Sequence, residues 1–155
     1  MKSSQRLGLV AGVLILLLYL CVYLVRADLL FHPGLYFISF LPVVVMQYRA
    51  AHHSVMEGGA TKDHVRAAFI VFCISSLLYY IFIHVVLSAD PQAGSYWQEQ
   101  RIALTELIMG DQIPDEALGD MVLPTIFQWF FRFIFGLLGG FLLSYLIASF
   151  AKTRA

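Results

Sequence analysis

Charge is what this chain has least of. Only 13% of its 155 residues are Asp, Glu, Lys or Arg, ten basic against ten acidic, so the formal net charge is zero. Seven of the bases, Lys2, Arg6, Arg49, Lys62, Arg66, Lys152 and Arg154, are scattered over three segments. That is too thin for a nucleic-acid-binding surface, which needs a concentrated basic patch. There are two cysteines, Cys21 and Cys73, each inside an apolar run at a different expected depth, which excludes a disulfide framework. The sequence has no C-x-x-C-H, no H-E-x-x-H, no phosphate-binding glycine loop and no nucleophile elbow. The common haem, zinc-peptidase, nucleotide and serine-hydrolase readings therefore have no motif to rest on.

What is abundant is apolar surface, 60% of residues, well beyond a soluble domain. The expectation is an all-α, polytopic membrane protein forming one domain over residues 1–155. It would have four transmembrane helices at about 7–25, 31–48, 67–89 and 126–151, and a short extracytoplasmic amphipathic helix within an outer segment 90–123. Leu7 to Val25 is about nineteen residues without a charge, roughly 28 Å of helix. No small-x-small cleavage site follows it, so it reads as a retained signal anchor. The second stretch contains Pro42 and is short, either a tilted, proline-kinked span or a re-entrant segment. The fourth is longer than a hydrocarbon core of about 30 Å needs, so one end should project or tilt. The positive-inside rule then places both termini and the 52–66 loop in the cytoplasm.

The outer segment carries seven acids, Asp90, Glu99, Glu106, Asp111, Asp115, Glu116 and Asp120, against Arg101 alone, a formal charge of −6. Asp90–Pro91 and Gly94 should end the third helix. From Ser95 a stripe of Trp97, Arg101, Leu104 and Ile108 follows helical spacing, with Gly110 and Asp111 as its stop.

Arg132 lies inside the fourth apolar segment, where an arginine is costly. Three readings are open: it snorkels to headgroups beside Trp129, with anionic lipid as its natural contact; it pairs with Asp120, Asp28 or Asp90; or it serves a substrate or ion. Gly8-x-x-x-Gly12 and Gly136-x-x-x-Gly140, with Gly139, suit close helix packing. The five histidines match no ligand spacing. His32 and His84 could approach each other at one end of the bundle, while His52, His53 and His64 lie with Glu57 and Asp63 at the other. Neither group supplies a recognisable site, and no cofactor, metal or catalytic residue is expected.

The run Gly58-Gly59-Ala60-Thr61-Lys62-Asp63-His64-Val65-Arg66-Ala67-Ala68-Phe69, the later Ala89-Asp90-Pro91, and the glycines Gly8 and Gly12 resemble the DUF4199 family of small Bacteroidota membrane proteins. That resemblance implies a bacterial inner-membrane location. It carries over no catalytic residue, and Arg132 and the short second span depart from it. The expected function is a non-catalytic accessory or structural subunit of a larger inner-membrane complex. Its partners would be integral membrane subunits and lipids, with a homo-oligomer as the other assembly and no nucleic acid. The alternative is a small transporter or ion-handling protein using Arg132, His84 and a broken second span around Pro42. A third option is a redox or lipid-modifying enzyme built on His32 and His84.

Overall fold

The computed structural model describes residues 3–109 and 125–153. All regular structure in these residues is helical: α1 (Ser3–Arg26), a 3-10 turn (Ala27–Leu29), α2 (Pro33–Met56), α3 (Thr61–Ala89), α4 (Pro91–Met109) and α5 (Ile126–Thr153). Ser3–Leu29, α2, α3 and α5 are each long and apolar enough to cross a bilayer. The chain is thus an all-α polytopic protein of the four-span kind, with a fifth, shorter helix between the last two spans.

Local chemistry sets the helix ends. His32 caps α2, its Nδ1 accepting the Gly34 N–H at 3.1 Å, with Pro33 in the first turn, where its missing N–H costs nothing. At the other end Gly58 turns the chain at φ +73°, a left-handed conformation that glycine adopts without strain. Asp63 then caps α3 by accepting the Ala60 N–H at 3.0 Å. Asp90 ends α3 and also starts α4, its Oδ1 accepting the Gln92 N–H at 2.9 Å.

Two elements run differently from the reading of the sequence. The second helix is neither short nor re-entrant: α2 continues through Pro42 to Met56. The packing of α1, α3 and α5 around it is the setting in which an interior proline is tolerated. The last helix begins at Ile126, as expected, with Arg132 inside it. The amphipathic helix starts at Pro91, not near Ser95, because Asp90–Pro91 begins a helix as well as ending one, and Gly94 is carried inside it. The expected stop at Gly110 and Asp111 falls outside the described residues.

The bundle is organised around α3, which packs against α1, α2 and α5, while α2 touches both α1 and α5. Gly8 and Gly12 let α1 approach α3. A Cβ at Gly8 would lie 3.0 Å from Ile74 and 3.2 Å from the Val71 backbone, and one at Gly12 would meet Leu78. A small-residue cluster of Ala51, Val65, Ala68, Ala148 and Ala151 joins α2, α3 and α5 beside the α2–α3 turn. Ser3 and Ser4 share a cleft with His53 and Ser54 there. Both ends of the described chain therefore lie at that hairpin end, and α4 lies at the opposite end.

Candidate functional site

The α4 end is built on one joint. The Tyr23 hydroxyl donates to Asp90 Oδ2 at 2.7 Å, tying α1 to the corner between α3 and α4. This bond and the Gln92 N–H hold the Asp90 carboxyl below its ordinary range, since both favour the carboxylate. With its start so anchored, α4 turns Ala93, Gly94 and Trp97 inward.

Trp97 is 5% exposed and Trp129, on the first turn of α5, is 8% exposed. The Arg132 guanidinium lies 5.2 Å from the Trp129 ring centroid and 5.7 Å from that of Trp97. Arg101, one turn beyond Trp97, lies 4.9 Å from the same indole. Two cations thus share one aromatic ring, and each is within the attractive range of a π face. Their charges are close enough to act on one another. Among the described residues, Arg26–Asp28, at 2.7 Å, is the one ion pair joining an arginine or lysine to a carboxylate. Asp28 is therefore engaged with Arg26 and Asp90 with Tyr23, and neither is the partner of Arg132. The third carboxylate considered, Asp120, lies outside the described residues.

These side chains border a cavity of about 670 Å³. Its wall includes His32, Tyr36, Tyr79, Tyr80, Gln100 and Leu104. Trp129 Nε1 is buried without a hydrogen-bond partner among the described residues. Below it, toward the middle of the bundle, a chamber of about 320 Å³ lies between α2, α3 and α5. Tyr36, Tyr79 and Tyr80 line both spaces. They belong to an edge-to-face series that runs from Tyr19 through Tyr79 and Tyr80 to Trp129.

Two guanidiniums without carboxylate partners among the described residues, beside an aromatic wall, suit a phosphate or carboxylate head attached to an apolar body. Planar guanidiniums bind such oxyanions in bidentate fashion.

Of the glycines singled out in the sequence, Gly8 and Gly12 face α3, and a Cβ at Gly140 would meet the Phe72 ring. Gly136 and Gly139 do something different. A Cβ at Gly136 would find only the Tyr80 hydroxyl, at 3.7 Å, and one at Gly139 would find nothing within 4 Å; both residues line the inner chamber. The hairpin-end histidines make local contacts. His64 Nδ1 is 3.0 Å from Ser54 Oγ, and His53 lies 3.4 Å from Glu57. Among the described residues no three metal-binding side chains come together. Cys21 is exposed and Cys73 partly buried, both as free thiols.

The sequence reading missed a polar junction in the core. Gln47 Nε2 donates to Ser144 Oγ at 2.8 Å and lies 3.5 Å from the Ala68 carbonyl, while Ser144 donates to the Gly140 carbonyl at 2.7 Å. Both side chains are fully buried. A glutamine inside an apolar span was the available signal, overlooked because it carries no charge. Comparison with family models, curated proteins and solved structures gives no match for this chain, so the resemblance to the DUF4199 family rests on its short motifs alone.

Proposed function

We propose that this protein is a non-catalytic membrane component that holds an anionic amphiphile, its phosphate or carboxylate head against Arg101 and Arg132. The observation that carries the reading is the shared contact of both guanidiniums with Trp97, with no carboxylate on either among the described residues. A cation beside a membrane that has no counter-ion among the described residues is stabilised by an external anion, such as an anionic lipid head. In this reading the protein lies in a bacterial inner membrane with the hairpin end, where Arg49, Lys62, Arg66 and Lys152 cluster, in the cytoplasm. The arginine cavity then faces the outer leaflet.

Native mass spectrometry after extraction in a mild non-ionic detergent tests this. Wild type should carry an anionic lipid that is lost from the Arg101→Gln/Arg132→Gln variant. Equal retention by both proteins, or retention of zwitterionic lipid alone, would refute it.

The role of accessory subunit in a larger complex is compatible with such a site. It is favoured by α5, which leaves Phe127, Phe130, Phe131, Leu138 and Leu142 uncovered along most of its length and so offers a face to a neighbouring helix. Migration on a native gel only as a free chain would count against that role. A transport role loses one of its supports, because α2 runs unbroken through Pro42.

A further inference from the structure

We infer that the inner chamber receives the apolar chain of the ligand whose head occupies the arginine cavity, so that the site takes a lipid-like molecule by head and tail together. The inference rests on the head-group reading above and names what lies beneath it. From Arg132 to Leu143, the deepest α5 residue of the chamber wall, the helix advances about 16 Å. That is an acyl-chain dimension.

The wall of the chamber favours a chain over water. The Ser39 hydroxyl donates to the Tyr36 carbonyl at 2.7 Å, and Ser75 donates to the Val71 and Phe72 carbonyls at 2.9 and 3.1 Å. These donors are already satisfied by their own helices, leaving Ile15, Phe40, Val43, Phe72 and Phe133 to dominate the surface. Lipid tails are as apolar as this wall, so hydrophobic transfer from the leaflet supplies little. The gain comes from dispersion contacts, which an unfilled apolar space forfeits. Glycine at 136 and 139 keeps that space open. A Cβ at Gly136 would lie 3.7 Å from the Tyr80 hydroxyl on the chamber wall, whereas one at Gly140 would meet the Phe72 ring. The two spaces share three tyrosines.

The test uses dodecyl phosphate carrying a diazirine at the end of its chain, added to the full-length protein in nanodiscs of zwitterionic lipid. Trp97 and Trp129 are the chain's two tryptophans, so their emission reports the head cavity while photo-adducts locate the tail. The expected result is a saturable change in emission, with adducts on Phe72, Ser76, Phe133 or Leu143. Those adducts should disappear in Gly136→Leu, whose side chain plugs the space beneath Tyr80, and in Gly139→Leu. A saturable emission change with adducts on the outward residues Phe131, Leu138 and Leu142 would overturn the tail assignment and leave the head site standing. No saturable emission change would remove the head site, and the inference with it.

Discussion

Arg132 on α5 and Trp97 on α4 stand 35 positions apart in the sequence, yet the guanidinium lies 5.7 Å from the indole centroid. The contact ties one side chain of α4 to the start of α5, and a second cation, Arg101, lies over the same ring. Arg132 therefore has more to do than reach the headgroups.

Two aromatic contacts set the expected cost of losing Arg132. A cation–π contact contributes about 0.5–1 kcal/mol when exposed and about 2 kcal/mol or more when desolvated. Thermal unfolding in nanodiscs should show Arg132→Leu destabilised by about 1–2 kcal/mol and Arg132→Lys by less, since lysine keeps the charge but not the planar face. Both variants matching wild type would mean that Arg132 only snorkels. A larger loss, partly rescued by Asp120→Asn, would instead identify a buried ion pair.

Neighbouring glycines on α5 should respond differently to the same change. Gly140→Ala forces a Cβ into the Phe72 ring, and such overpacking costs about 1–3 kcal/mol. Gly139→Ala meets nothing and should be neutral or slightly stabilising, because alanine is the better helix former. Equal effects in a thermal-shift comparison would contradict the close approach of α3 and α5 at Phe72.

The Gln47–Ser144 bond should be modest but measurable. Hydrogen bonds between membrane helices average about 0.6 kcal/mol, with a maximum near 1.7 kcal/mol. A double-mutant cycle with Gln47→Leu and Ser144→Ala should return a coupling within that range. A coupling of zero would mean that the two side chains act independently.

The Asp90 carboxyl gives the α4 corner a pH dependence. Its folded pKa is depressed, chiefly by the Tyr23 hydroxyl, so protonation favours the unfolded corner. The stabilisation is complete above the ordinary carboxylate range and is lost as pH falls through the lower, folded value. Comparing Tyr23→Phe with wild type isolates this contribution. The gap in melting temperature should be present at neutral pH and should close in strong acid. A gap that widened with acid would contradict the assignment.

The fold was legible because its signals are long. Four charge-poor stretches, with their flanking bases, are enough to place four membrane helices. Boundaries were less legible wherever one residue serves two elements. Asp90 ends α3 and caps α4, and Pro42 reads as an interruption unless the surrounding helices are known. The site was half visible. Arg132 and Trp129 stood out on α5, whereas Trp97 and Arg101 read only as part of an amphipathic stripe. Their meeting with α5 depends on the corner that Tyr23 and Asp90 hold, and no local pattern encodes a contact between α1 and the α3–α4 joint. The glycine motif on α5 was visible too, but Gly140 meets a side chain while Gly136 and Gly139 line open space, a distinction that requires the position of Phe72.

The most direct measurement of the central claim is a fluorescence titration of the two tryptophans in zwitterionic nanodiscs, with dodecyl phosphate set against dodecylphosphocholine. The account predicts saturable binding of the anionic compound, weakened by about tenfold or more in Arg132→Gln, since a charge-assisted hydrogen bond contributes about 1.5–3 kcal/mol. It also predicts little response to the zwitterion. Indistinguishable titrations for the two compounds, or for wild type and Arg132→Gln, would contradict it.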